Sequence, residues 1–140
     1  MADYFDGKKY GCVMALGPFT IANATTGESD SDLAYGQASY AAMPASGSVV
    51  AISIYANDEV TAGSATVRAH SSGTEMTGTG YPAPVVNTTN TQVSYATASP
   101  GAITFSAGDE LGLSITSTTT LTPTNALEVD GWLFVQLDPS

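Results

Sequence analysis

The sequence predicts an all-β domain, a two-sheet antiparallel β-sandwich of jelly-roll-like form with about eight strands. Three observations carry this expectation. Apolar residues recur with a period of two through most of the chain from Gly47 onward. Clusters of Gly, Pro, Asn and Asp break those runs about every eight to twelve residues, the spacing of sandwich strands. The composition is rich in hydroxyls: 19 Thr and 15 Ser stand in 140 residues, while charged residues make up only 11%, against about 25% in ordinary domains. Thr is β-branched and Ser competes for backbone hydrogen bonds, so both favour strands and turns over helices. No strand–helix alternation of a parallel α/β fold is present.

The first third is the least regular. Tyr10 to Leu16 and Phe19 to Ala22 read as two strands. Thr25 to Asp32 is an acidic loop, and Leu33 to Met43 is either an irregular strand or a short helix. Gly47 to Asn57 (GSVVAISIYAN) is a well-buried strand, with Val50, Ile52 and Ile54 on one side and Val49, Ala51, Ser53 and Tyr55 on the other. After a loop at Asn57 to Gly63, Ser64 to His70 returns with Ala65, Val67 and Ala69 on one face, and the two strands are expected to form a hairpin. Ser71 to Gly80 is a Gly, Ser and Thr loop with a short strand near Glu75. Pro82 and Pro84 lack donors and bar Tyr81 to Pro84 from a central strand. Gln92 to Ala96 and Ala102 to Phe105 are short strands. Gly108-Asp109 makes a tight turn into Glu110 to Thr116, where Leu111, Leu113 and Ile115 share a face. Ala126 to Leu137 is the longest alternating run. Leu127, Val129, Leu133, Val135 and Leu137 oppose Glu128, Asp130, Trp132, Phe134 and Gln136, and apolar groups on both rows mark a central strand.

The chain has the length of a single domain, residues 1–140, with residues 1–9 as an N-terminal arm and 10–140 as the sandwich. Such a domain buries roughly two-thirds of its unfolded surface and needs no disulfide or metal to fold. Cys12 is the one cysteine, set in an apolar run, and reads as a small buried hydrophobe. No basic and apolar leader opens the chain, and no apolar run approaches the length of a membrane helix. The net charge is −10, with 13 acidic and 3 basic residues. So few cations neutralise few phosphates, which disfavours nucleic acid and anionic membranes as partners.

No catalytic constellation emerges, and no cofactor is expected. Glu28, Asp30 and Asp32 alternate along an extended stretch, but the Gly and distal Glu of a calcium loop are missing, so a solvated acidic loop is favoured over a metal site. Asp109 and Glu110 are neighbours on a strand and point to opposite faces, which fails the geometry of a carboxylate pair. Asp109 is expected to stabilise its turn. His70 has no nucleophile elbow to serve and is expected at an exposed strand end or a subunit contact. Tyr55, Tyr95 and Trp132 are among the aromatics outside the evident core rows and suit either protein contacts or sugar stacking. In the N-terminal arm, Tyr4 and Phe5 combine with Lys8 and Lys9 as a candidate partner-binding element.

The segment Ile103 to Ile115 (ITFSAGDELGLSI) resembles the penultimate-strand region of C1q/TNF-like trimeric jelly rolls, and Asp130 to Val135 (DGWLFV) resembles their closing strand. The succession VVAISIYAND, GSATVR, AGDELGL and a Thr-Pro-Thr-Asn loop before a final apolar strand is similar to the C-terminal halves of bacteriophage structural proteins. The resemblance covers about residues 47 to 137. It implies a virion protein of the capsid decoration (cement) type, a homotrimer that binds the major capsid protein on the outer capsid surface. The alternative it leaves open is a receptor- or glycan-binding head of a tail or head fibre, although the chain holds no collagen repeat and no heptads.

Overall fold

In the computed structural model the described residues are 13–24, 41–76, 78–123 and 127–138, with backbone alone for 21–24. They form ten strands and no helix: β1 Val13–Ala24, β2 Ala41–Ala42, β3 Gly47–Ala56, β4 Ser64–Ser71, β5 Thr74–Glu75, β6 Val85–Asn87, β7 Val93–Thr97, β8 Thr104–Phe105, β9 Glu110–Ser117 and β10 Leu127–Leu137. Ten exceeds the expected eight because the two N-terminal strands merge into β1 while the short strands β2, β5 and β6 are added.

The strands make two antiparallel sheets, a β-sandwich as expected. One runs β1-β10-β3-β7, with β8 also on β3; the other runs β2-β9-β4-β5, with β6 also on β4. Successive strands β1, β2, β3 and β4 therefore alternate between the sheets. The expected hairpin of β3 and β4 does not exist. Each has one strongly apolar face, and the chain buries both by placing them in opposite sheets with those faces together. The connection between them is braced by the loop before β10: Thr61 N donates to Thr122 O and Thr122 N to Ala62 O, both at 3.0 Å. Gly63 sits there at φ +69°, where an added Cβ would lie 2.7 Å from the backbone N of Leu121. Only glycine fits that approach.

The core is the space between the sheets. Ile52, Ile54, Ala65, Val67, Leu111, Leu113, Ile115, Leu127, Val129, Leu133 and Val135 all fill it. Each of the Val, Leu and Ile side chains contributes roughly 1.5–3 kcal/mol by leaving water. The rows expected for β4, β9 and β10 are those observed. On β3, Val49 rather than Val50 points inward. Val135 pairs with Val49 and Phe134 with Ala51, so Val50 is an extra residue that reverses the alternation. The same device merges the two expected N-terminal strands into β1. Leu16 pairs with Leu133 and Phe19 with Gly131, three residues against two, so both Leu16 and Phe19 can face the core. Gly131 makes room: a Cβ there would stand 2.3 Å from Leu113 Cδ1 of the opposite sheet.

The sandwich is closed along its β6–β7 side, where Val85 N donates to Ser94 Oγ at 3.3 Å between the sheets. The long strand β10 lies centrally between β1 and β3, which holds its outward row in fixed register with both.

Candidate interaction surface

The outward face of the β1-β10-β3-β7 sheet is built from the residues that alternate with the core rows. Register sets them in lines across the sheet. Trp132 lies opposite Ser53, which lies opposite Tyr95. Phe134 lies between Ala15 and Ala51, with Thr97 beyond. Asp130 is flanked by Thr20 and Tyr55, with Val93 beyond Tyr55. Large side chains thus stand beside small ones. Trp132 also borders Gly17, where a Cβ would come to 3.4 Å from its Cδ1.

The described large hydrophobics that are exposed all belong to this face: Val13 at 55%, Tyr55 at 46%, Val93 at 59% and Tyr95 at 74%. Tyr55 and Tyr95 are diagonal neighbours on β3 and β7, within reach for aromatic side chains. Among the described strand residues of this face, charge is confined to one end, at Glu128 and Asp130. Asp130 Oδ1 accepts a hydrogen bond from Thr20 Oγ1 at 2.8 Å, so it is tied into the face. Contiguous exposed apolar side chains bordered by polar groups are the kind of surface that contact sites present.

The outward face of the other sheet is of a different kind. His70 on β4 faces Gly112 on β9 and Glu75 on β5. It is 3% exposed, and Ser114 beside it is 1% exposed. The expectation of an exposed strand end for His70 is overturned. The chain turns back at Ser72-Gly73, both with positive φ, so His70 lies between β5 and β9, paired with Glu75 on one side and Gly112 on the other. Arg68 Nε stands 3.7 Å from Glu75 Oε1, and Arg68 Nη1 donates to Thr116 Oγ1 at 3.5 Å.

Asp109 stabilises its turn as expected: its Oδ2 accepts from Ser106 N at 2.9 Å. Tyr4, Phe5, Lys8 and Lys9, Cys12 and the acidic run Glu28 to Asp32 lie outside the described residues. Among the described residues, no three His, Cys, Asp or Glu side chains gather as metal ligands would. Tyr55, Tyr95 and Trp132 come together on the open face, but Val13 and Val93 were not legible as part of it. Each is the first residue of its strand, β1 and β7, a weak signal that register alone completes. No protein-family model, curated protein or solved structure matches the chain.

Proposed function

We propose that this chain is a structural protein of a virion and not an enzyme. In this reading it is a capsid decoration protein, a homotrimer that binds the major capsid protein on the outer capsid surface and stabilises the shell. We read the sandwich as a jelly roll, since the chain passes between the sheets at six of the nine connections between the described strands. The observation that carries the function is the aromatic face of the β1-β10-β3-β7 sheet, whose exposed Tyr55, Val93 and Tyr95 suit protein contacts. The resemblance of residues 47 to 137 to phage structural proteins supplies the setting. No cofactor, nucleic acid or membrane enters this reading.

The same face favours a second reading. Exposed Tyr95 and Tyr55 on a flat sheet also suit sugar stacking, as in the glycan-binding head of a phage tail or head fibre. Immunogold labelling of virions from the source that encodes the chain separates the two. Label over the capsid faces is the expected result. Label at a tail tip, together with hits on a glycan array, favours the fibre head. Virions that carry no label overturn both.

A further inference from the structure

A sheet edge offers a row of backbone N–H and C=O groups that another extended chain can match. Among the described strands, all edges but one are blunted. β1 carries Pro18 and two shifts of register. β2, β5 and β8 are two residues long, and β6 has three residues behind Pro82 and Pro84. Edge strand β7 has none of these devices. Val93-Ser94-Tyr95-Ala96-Thr97 holds no proline, glycine or charge, and it pairs with β3 through five consecutive residues without a shift. Val93, Tyr95 and Thr97 are of the β-branched and aromatic types that suit a strand with neighbours.

The pairing fixes which groups of β7 are open. Ala56 N donates to Gln92 O at 2.7 Å, and Ala98 N donates to Val50 O at 2.8 Å. Hydrogen-bonded pairs alternate along an antiparallel ladder, so the bonds to β3 fall on Gln92, Ser94, Ala96 and Ala98. The N–H and C=O of Val93, Tyr95 and Thr97 point away from β3, to the side where β7 has no neighbour in its sheet. All three residues are exposed, and among the described residues no hydrogen bond takes up these groups. The two ends of the edge differ in charge. Val60 N donates to Thr91 O at 3.0 Å, which brings the exposed Asp58 and Glu59 beside the Val93 end. The Thr97 end runs into Ala98-Ser99-Pro100-Gly101, which carries no charge.

We propose that β7 is a docking edge for an extended segment of a partner protein, which pairs antiparallel with Val93 to Thr97 and adds a strand to the sheet. The open groups recur every second residue, about 7 Å apart, and a pleated backbone presents its own donors and acceptors at the same spacing. β-Branched or aromatic side chains of the segment gain most beside Val93, Tyr95 and Thr97. An antiparallel segment brings its carboxyl end to Val93, where a Lys or Arg meets Asp58 and Glu59. A second copy of this chain fits less well. It carries −10 itself, and no cation flanks its own β7. The proposal stands apart from the virion reading. A chain absent from virions can still take a strand on β7, and a decoration protein can bind its shell by another surface.

NMR amide exchange and shift mapping on the full chain test this, with an end-capped Thr-Val-Thr-Val-Thr-Lys peptide as the probe. In the free chain the amides of Val93, Tyr95 and Thr97 exchange fast, while those of Ser94 and Ala96 are protected. Peptide at up to millimolar concentration shifts and protects the odd-numbered amides. A Glu in place of the peptide Lys weakens binding about threefold at low salt, and added salt erases the difference. Asp58→Asn combined with Glu59→Gln erases it as well. Tyr95→Pro deletes an open N–H without taking a donor from the β3 ladder, and weakens binding roughly fivefold or more. Tyr95→Ala keeps that N–H and weakens binding by no more than about threefold. Should Tyr95→Pro lose the folded spectrum, Val93→Pro makes the same test at the first position of the strand. Odd-numbered amides that are protected in the free chain, or that the peptide leaves unmoved, overturn the proposal. Protection that rises with protein concentration alone gives the edge to a second copy and overturns it too.

Discussion

The two sheets share one core but turn opposite kinds of surface outward. On the β2-β9-β4-β5 sheet, the outward row is polar and closed: His70 and Ser114 are buried, and Arg68 pairs with Glu75. On the β1-β10-β3-β7 sheet, the outward row is apolar and open, with Tyr95 74% exposed. Composition alone would assign the burial the other way round. Leaving aromatics in water forgoes stabilisation, and burying a histidine and a serine requires compensating polar contacts. The inversion therefore separates two roles. The polar face belongs to the stability of the fold, and the exposed side chains of the apolar face contribute little to it.

One substitution made on both faces breaks or sharpens that contrast most strongly. Ser114→Lys places an ammonium in a buried site directly opposite Arg68. An unpaired buried charge costs about 3–5 kcal/mol, enough to lower the melting temperature by roughly 10 °C or more in a domain this size. Ser53→Lys lies at the centre of the open face, between Trp132 and Tyr95. There the lysine stem can lie along the rings with its charge in water, at a cost of under about 1 kcal/mol. Scanning calorimetry of the two variants is decisive. Equal melting temperatures would mean that the two faces do not differ in the way described.

A core position common to both sheets comes next. Gly131 on β10 receives Leu113 from the facing sheet, and a Cβ there would stand 2.3 Å from Leu113 Cδ1. Gly131→Ala overpacks this point and is expected to cost about 1–3 kcal/mol. Urea titration should show a lower midpoint with an unchanged slope. Pairing it with Leu113→Ala tests the mechanism, since the smaller side chain opposite should remove part of the penalty of the alanine.

How much of this was legible follows from which interactions are local. The period-two rows of β4, β9 and β10 were legible because alternation is a property of the strand itself. The row of β3 was legible at Ile52 and Ile54 but not at Val49, because the extra residue at Val50 arises only when β3 pairs with β10. The two halves of β1 read as separate strands for the same reason, their inward residues Leu16 and Phe19 being three apart. Strand partners are non-local, so the hairpin of β3 and β4 was the natural expectation and the wrong one. His70 shows the other gap. Alternation places it outward, but outward equals exposed only where nothing flanks or covers the sheet. For the open face, Tyr55, Tyr95 and Trp132 stood out as aromatics off the core rows. Their meeting on one surface needed the register of β10, β3 and β7.

The smallest effect tests the closed face by its charge pair. Arg68 and Glu75 approach to 3.7 Å, with side chains 29% and 13% exposed. A pair at that separation, still partly in contact with water, contributes up to about 1 kcal/mol. Glu75→Gln keeps the shape and removes the charge, so its cost measures the attraction to Arg68 with little change in packing. The expected loss is a few tenths of a kcal/mol up to about 1, shrinking as salt is added, because exposed charge interactions are screened over about 8–10 Å. Chemical denaturation with urea, which adds no ions, resolves it at low and high salt. A loss that stays the same at high salt would assign Glu75 to hydrogen bonding within the face. A loss that fades would assign it to the ion pair.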